Sequence, residues 1–182
     1  MNYTSLDMRQ PAGMKPQDIV ILLKILLWQD RKWRQLDLAL ELGVSQGEIN
    51  FALNRLVKSG LLDAEKLHPM KRALAEFLIH GLKYVYPAEL GPLGRGMATA
   101  HSHDSLAKKL VTGDDNKIVW SDPEGKERGQ LLEPLYPSVP FAAKKDPELY
   151  EWLALIDAIR IGSARVQKIA ADKITKKIEA AS

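Results

Sequence analysis

Apolar positions first fall into a pattern at Pro16. From there to Trp28, through the run IVILLKILLW, they are dense enough to require a helix buried on nearly all sides, and the proline marks its first turn. Residues 1–15 show no such pattern and read as a flexible lead-in. After the charged connection QDRKWR, Leu36, Leu38, Ala39 and Leu42 mark a short second helix. It stops at Gly43, the residue type suited to a left-handed C-terminal turn. Ser45 and Glu48 stand at capping-box spacing, the serine accepting from the helix backbone and the glutamate reaching back. Ile49, Ala52, Leu53 and Leu56 then recur at i, i+3, i+4 and i+7. That spacing predicts a third helix over 46–59 with one apolar face, ended by Gly60.

The pattern is less regular beyond Gly60. LLDAEKL has the length of a short strand. PMKRALAEFLIHGL reads as a fourth helix, with Pro69 at its start and Gly81 near its end, and KYVYPAEL alternates as a strand does. From Gly91 to Asp115 the glycine-rich and polar composition, headed by GPLGRG, predicts loop with one helical turn at most. KIVW and ERGQLLEPLY flank SDPEGK, whose Asp-Pro-Glu-Gly is a turn sequence, so a β-hairpin is expected there. PSVPFAAKKDP is a proline-punctuated connection. Two helices then close the chain, over 147–161 and 163–180, with Gly162 between them.

A short helix, a tight glycine turn and a capped helix make a helix-turn-helix. The third helix must turn Ile49, Ala52, Leu53 and Leu56 inward, which leaves Gln46, Gly47, Asn50, Phe51 and Asn54 to solvent. These residues are candidates for base contact. Amide side chains pair bidentately with adenine, an apolar ring meets a thymine methyl, and Gly47 permits close approach. Arg31, Lys32, Arg34, Ser45, Arg55 and Lys58, with Lys71 and Arg72 on the next helix, are candidates for phosphate contact. The plainer alternative is a helix-turn-helix that binds protein or nothing, with Phe51 buried against a later element. Glu48 near the helix start would repel phosphate unless occupied in the cap.

The stretch LALELGVSQGEINFALNRLVKSGLL resembles the helix-turn-helix core of bacterial winged-helix transcription regulators of the MarR-like group, over roughly Pro16 to Leu62. The resemblance implies that Gln46, Gly47, Asn50, Phe51 and Asn54 occupy recognition-helix surface positions. It also implies a two-stranded wing directly after Leu62. Here a helix from Pro69 intervenes, so the wing is expected to be displaced, altered or missing. This recognition helix is also poorer in positive charge than is common in that group.

Composition narrows the function classes. Hydrophobic content of 46% and charged content of 27% are those of a soluble globular protein, and a net charge of +3 permits an anionic partner without demonstrating one. With no cysteine, disulfides, thiolate metal sites and a cysteine nucleophile are excluded. The polar stretch before the first helix lacks the apolar block of a signal peptide, and the longest apolar run is too short to span a bilayer, so a cytoplasmic protein with no membrane partner is expected. His101, His103 and Asp104 in HSHD superficially suggest a metal pair, and GPLGRG a phosphate cradle. A solvated loop and a turn are the favoured readings, and no metal, cofactor or catalytic residue is assigned. Tyr84 and Tyr86 in KYVYP could stack single-stranded bases, but more often such residues complete a core.

The last two helices carry an apolar seam, including Trp152, Ile156 and Ile159 on one and Val166, Ile169, Ile174 and Ile178 on the other. Such a seam wants a partner helix, from the same chain or from a second copy. Two half-sites favour dimers, so a homodimer built partly on these residues is the preferred reading.

The sequence thus predicts an α+β, mostly helical protein. Its parts are a lead-in at 1–15, a winged-helix-like DNA-binding domain at 16–90, a mixed loop and hairpin region at 91–146, and a helical hairpin at 147–182. The expected function is sequence-specific binding of double-stranded DNA as a dimeric repressor, without enzyme chemistry. The alternative is a non-catalytic adapter or partner subunit that docks a protein through 91–146.

Overall fold

A computed structural model describes residues 13–29, 31–108 and 117–181; the lead-in over 1–12 and the loop expected over 109–115 fall outside them. Helix α1 (Pro16–Trp28) is buried continuously from Asp18 to Leu26. An apolar helix with no wet face belongs in the interior, and the other elements are arranged around it. Helices α2 (Gln35–Leu42) and α3 (Gln46–Lys58) pack on α1 and on each other. The turn between α2 and α3 depends on Gly43, at φ +63°, whose N–H donates to the Ala39 carbonyl. The start of α3 corrects one expectation. Ser45 Oγ accepts the Glu48 N–H at 3.2 Å, but the Glu48 carboxylate does not reach back. It accepts from Gln17 Nε2 at 2.7 Å, with Lys15 Nζ at 3.7 Å, so only the serine half of the box forms.

After Gly60 the chain makes a tight turn, not a strand. Leu62 bridges Pro69, and Asp63 N–H donates to the His68 carbonyl at 3.0 Å. The Asp63 carboxylate accepts from the Leu67 and His68 amides. Then come α4 (Lys71–Glu76), a π-helical turn (Phe77–Gly81) and α5 (Leu82–Val85), without a break. The strand expected at KYVYPAEL does not form, only its last residue, Leu90, belonging to β1, and the first part is helical for a packing reason. Leu74, Leu78 and Leu82, four apart, all lie fully buried, and that spacing holds the segment helical through Val85.

The middle region departs furthest from expectation. GPLGRG is not a loop but the body of β1 (Leu90–Ala98), which with β2 (Ile118–Ser121) and β3 (Glu127–Leu132) closes a small three-stranded barrel. β2 and β3 do not form the expected hairpin. Each runs antiparallel to β1, with Met97 opposite Trp120 and Arg95 opposite Arg128, and they lie parallel to each other. The Asp-Pro-Glu-Gly turn does form, with Gly125 N–H donating to the Asp122 carbonyl at 2.9 Å, but it carries the chain from β2, which pairs with the end of β1, to β3, which pairs with the earlier part of β1. Glycine makes this closure possible. A Cβ at Gly96 would stand 1.9 Å from the Trp120 carbonyl oxygen, and one at Gly129 would stand 2.4 Å from that of Lys117.

A 3-10 turn (Ala100–Ser102) and the single-turn helix α6 (Asp104–Ala107) follow β1, and PSVPFAAKKDP holds a further helix, α7 (Val139–Lys145). α8 (Pro147–Ile161) and α9 (Ala164–Ala180) match the expected C-terminal pair. α8 runs through the interior, every residue from Trp152 to Ile159 buried. Within it Asp157 accepts from Trp120 Nε1 at 2.7 Å, Thr99 Oγ1 at 2.8 Å and Arg160 at 2.8 Å, which fastens the barrel to the helix.

The proposed dimer seam must be corrected. Trp152, Ile156, Ile159, Val166, Ile174 and Ile178 are buried within one chain, and Ile169 packs half-buried beside them. The partner helix that this seam wanted is its own neighbour, because α9 closes over α8. A single cluster of buried side chains runs from Ile19 to Ile178, across the boundaries expected at 90 and 146.

Candidate nucleic-acid interface

The helix-turn-helix puts two faces of α3 in different surroundings. Ile49, Ala52, Leu53 and Leu56 are buried against α1 and α2. Gln46, Gly47, Asn50, Phe51 and Asn54 are all exposed, Phe51 to 59%. Phe51 thus presents an apolar ring to solvent among amide side chains. A Cβ built at Gly47 meets nothing within 4 Å, so the protein itself does not require glycine there. Ser45 lies at the same end of α3, exposed, with Oγ accepting its cap bond. The charge of Glu48 is partly offset by Lys15, and its carboxylate is occupied by Gln17, which lessens the repulsion it would offer an anion.

The basic candidates divide. Arg31 and Lys32 are exposed before α2, the Arg31 guanidinium stacking over the Trp28 ring at 4.5 Å. Arg34 stands at the N-terminus of α2 with its side chain largely in solvent, bonded to Asp37 at 3.1 Å. The hydrogen bond and charge of Arg34 hold the Asp37 carboxyl below its ordinary value. Lys58 in the last turn of α3 and Arg72 are exposed. Two candidates are corrected. Arg55 turns inward: its Nε and Nη2 reach the two carboxylate oxygens of Asp18 at 2.7 and 2.6 Å, with only 10% of its side chain exposed. Lys71 donates from Nζ to the Ala181 carbonyl at the end of α9, so it faces the C-terminus. Neither is placed to contact phosphate.

Residues not singled out from the sequence fix the helix-turn-helix to the body. Lys24, buried in α1, donates to Asp146 at 2.7 Å and to Glu41 of α2 at 3.2 Å. The signal was a lone lysine inside an apolar run, which must find carboxylates to be buried at all. The carbonyl groups at the end of α2 are also met from outside. Ser138 Oγ donates to the Leu42 carbonyl, Lys145 Nζ donates to that of Leu40 at 3.2 Å, and Phe141 lies over Gly43. No sequence pattern announces these contacts, because they join residues about a hundred positions apart.

Among the described residues no group of three or more His, Asp or Glu side chains, at HSHD or elsewhere, is placed to hold an ion. His103 Nδ1 accepts the Ser105 N–H at 3.2 Å at the start of α6, and its ring meets that of Tyr150 edge-on, with centroids 4.3 Å apart. Burial lowers the pKa of this imidazole, against the opposing pull of Glu151 and Asp104. Tyr84 is exposed at the end of α5 with Lys83 over its ring, while Tyr86 is half-buried. Among the described residues no helix is long and apolar enough to cross a membrane. Comparison with protein families, curated proteins and solved structures finds no match to this chain.

Proposed function

We propose that this protein binds double-stranded DNA in a sequence-dependent manner and represses transcription, with α3 laid in the major groove. The observation that carries the reading is the outward amide-and-aromatic face of α3: Gln46, Gly47, Asn50, Phe51 and Asn54, exposed together while the opposite face is packed. Asn50, Asn54 and Gln46 supply bidentate donor–acceptor pairs for base edges, and Phe51 an apolar contact for a thymine methyl. Arg31, Lys32, Arg34, Lys58 and Arg72 supply charge for the phosphate backbone. The resemblance of 16–62 to MarR-like regulators supports the same use, with the turn at Leu62–Pro69 standing where that group has its wing. A dimer contact through α8 and α9 is no longer part of the reading.

Affinity for duplex DNA is expected to fall with salt, with a log–log slope of about −0.9 for each phosphate contacted. Arg34→Ala should weaken all sequences alike and reduce that slope by about 1, whereas Asn50→Ala should cost about 1–3 kcal/mol at one preferred base pair. Fluorescence anisotropy over a salt series reads both. Absence of duplex binding at low salt would rule the reading out.

A second reading, an adapter that docks a protein through 91–146, is favoured by the apolar side chains which that region exposes: Leu93 at 64% and Phe141 at 46%. It predicts that Leu93→Asp abolishes capture of a partner and that the wild type retains no duplex DNA at low salt.

A further inference from the structure

The Arg55–Asp18 pair is a buried charged link between α3 and α1, whereas the tie of Glu48 to Gln17 and Lys15 lies nearer the surface. Asp18 is wholly buried in the first turn of α1, and both of its oxygens are engaged. Oδ1 accepts from Arg55 Nη2, and Oδ2 accepts from Arg55 Nε and from the Lys15 backbone N–H. Two parallel bonds from a planar fork fix direction as well as distance, which a lysine or an apolar contact would not do. The remaining inward residues of α3, Ile49, Ala52, Leu53 and Leu56, fill space but set no angle, since apolar packing is non-directional. The pair is also costly to bury, so apolar residues of similar volume would serve packing alone as well or better.

Resting on the DNA-binding reading above, we propose that Asp18 is a positioning residue for sequence recognition: through Arg55 it sets the rotation of α3 about its own axis and thereby the aim of Asn50, Phe51 and Asn54 at base edges. It touches no DNA. Its contribution is to discrimination between sequences, not to the general attraction for phosphate.

The test compares the full-length wild type with Asp18→Leu/Arg55→Met, which removes the fork while keeping the site filled. Each protein is titrated with a duplex selected by the wild type from a random-sequence pool, and with a scrambled duplex of equal composition. The double variant should remain folded, with a melting temperature lowered by no more than the loss of the Asp18 bond to the Lys15 N–H, and bind the scrambled duplex with unchanged salt slope. Its preference for the selected duplex should drop about tenfold or more, the worth of one base contact. Full preference at preserved stability would overturn the proposal. Should the double variant not fold, Arg55→Lys decides: it keeps the charge and loses the fork. Reduced preference with scrambled-duplex binding intact supports positioning, and wild-type preference overturns it. If the wild type selects no sequence at all, the underlying reading falls and the proposal falls with it. A wild type that selects and a variant that selects equally remove the proposal alone.

Discussion

Gly47 shows what a single residue can reveal when nothing in its own chain explains it. It lies in the first turn of α3, exposed, with open space where a Cβ would stand. Glycine is a poor helix former, so Gly47→Ala should stabilise the fold by up to about 1 kcal/mol, read by denaturant unfolding. A larger polar residue such as glutamine should also fold well but hold the backbone off the groove, lowering duplex affinity without lowering the melting temperature. Unchanged affinity would indicate that no close approach occurs at this position. Arg55 teaches the opposite lesson. By composition and placement it read as a phosphate ligand, yet a buried carboxylate 37 positions earlier claims it. Charge in a sequence says that a partner is needed but not which partner.

Between elements, the decisive ties are polar groups reaching helix ends. Asp146 caps α8 by accepting the Glu148 and Leu149 amides, each at 3.0 Å, and also receives Lys24 from α1. Burial pushes this carboxyl up, but Lys24 and the Leu149 amide outweigh it and hold the value below the ordinary 3.8. A carboxyl depressed on folding adds stability above its unfolded value, and that stability is lost as pH falls through the folded one. Unfolding free energy should therefore drop below about pH 4, and Asp146→Asn should flatten that part of the profile. Lys24→Met leaves two carboxylates without their ammonium, at a cost of about 2 kcal/mol at pH 7. A Lys24→Met protein as stable as the wild type would show the tie to be dispensable. At this scale the helices were legible where apolar spacing was strong: α1, α3, α8 and α9 start and stop within a few residues of expectation. β2 and β3 stand where KIVW and ERGQLLEPLY placed them, but their parallel pairing and the strand β1 were not legible. β1 is written in glycines, which composition assigns to turns, and its reason for them is the approach of two other strands. A three-stranded closure leaves too little apolar alternation to announce itself.

Among the described residues the buried side chains form one core, and the C-terminal helices belong to it. Removal of α9 by ending the chain before Ser163 would expose the side of α8 that Ala170 and Ile174 cover. The truncated protein should be unfolded or aggregated by circular dichroism and light scattering. A folded, soluble truncation would show that α9 closes nothing. The outer face of α3 was readable from the sequence because amphipathic spacing divides a helix into two sides without knowledge of the rest. Not legible was the anchoring of the helix-turn-helix, of α3 through Asp18 and of α2 through Lys24 and residues in and beside α7, since each anchor joins distant parts of the chain.

The central claim is that this outer face selects DNA sequence. It is tested most directly by incubating the purified protein with a random-sequence duplex pool, recovering and sequencing the bound fraction, and repeating this with Asn50, Phe51 and Asn54 all replaced by alanine. The account predicts a defined enriched motif for the wild type, and for the folded triple variant retention of DNA without that motif. An identical motif from both proteins, or none from the wild type, would contradict it.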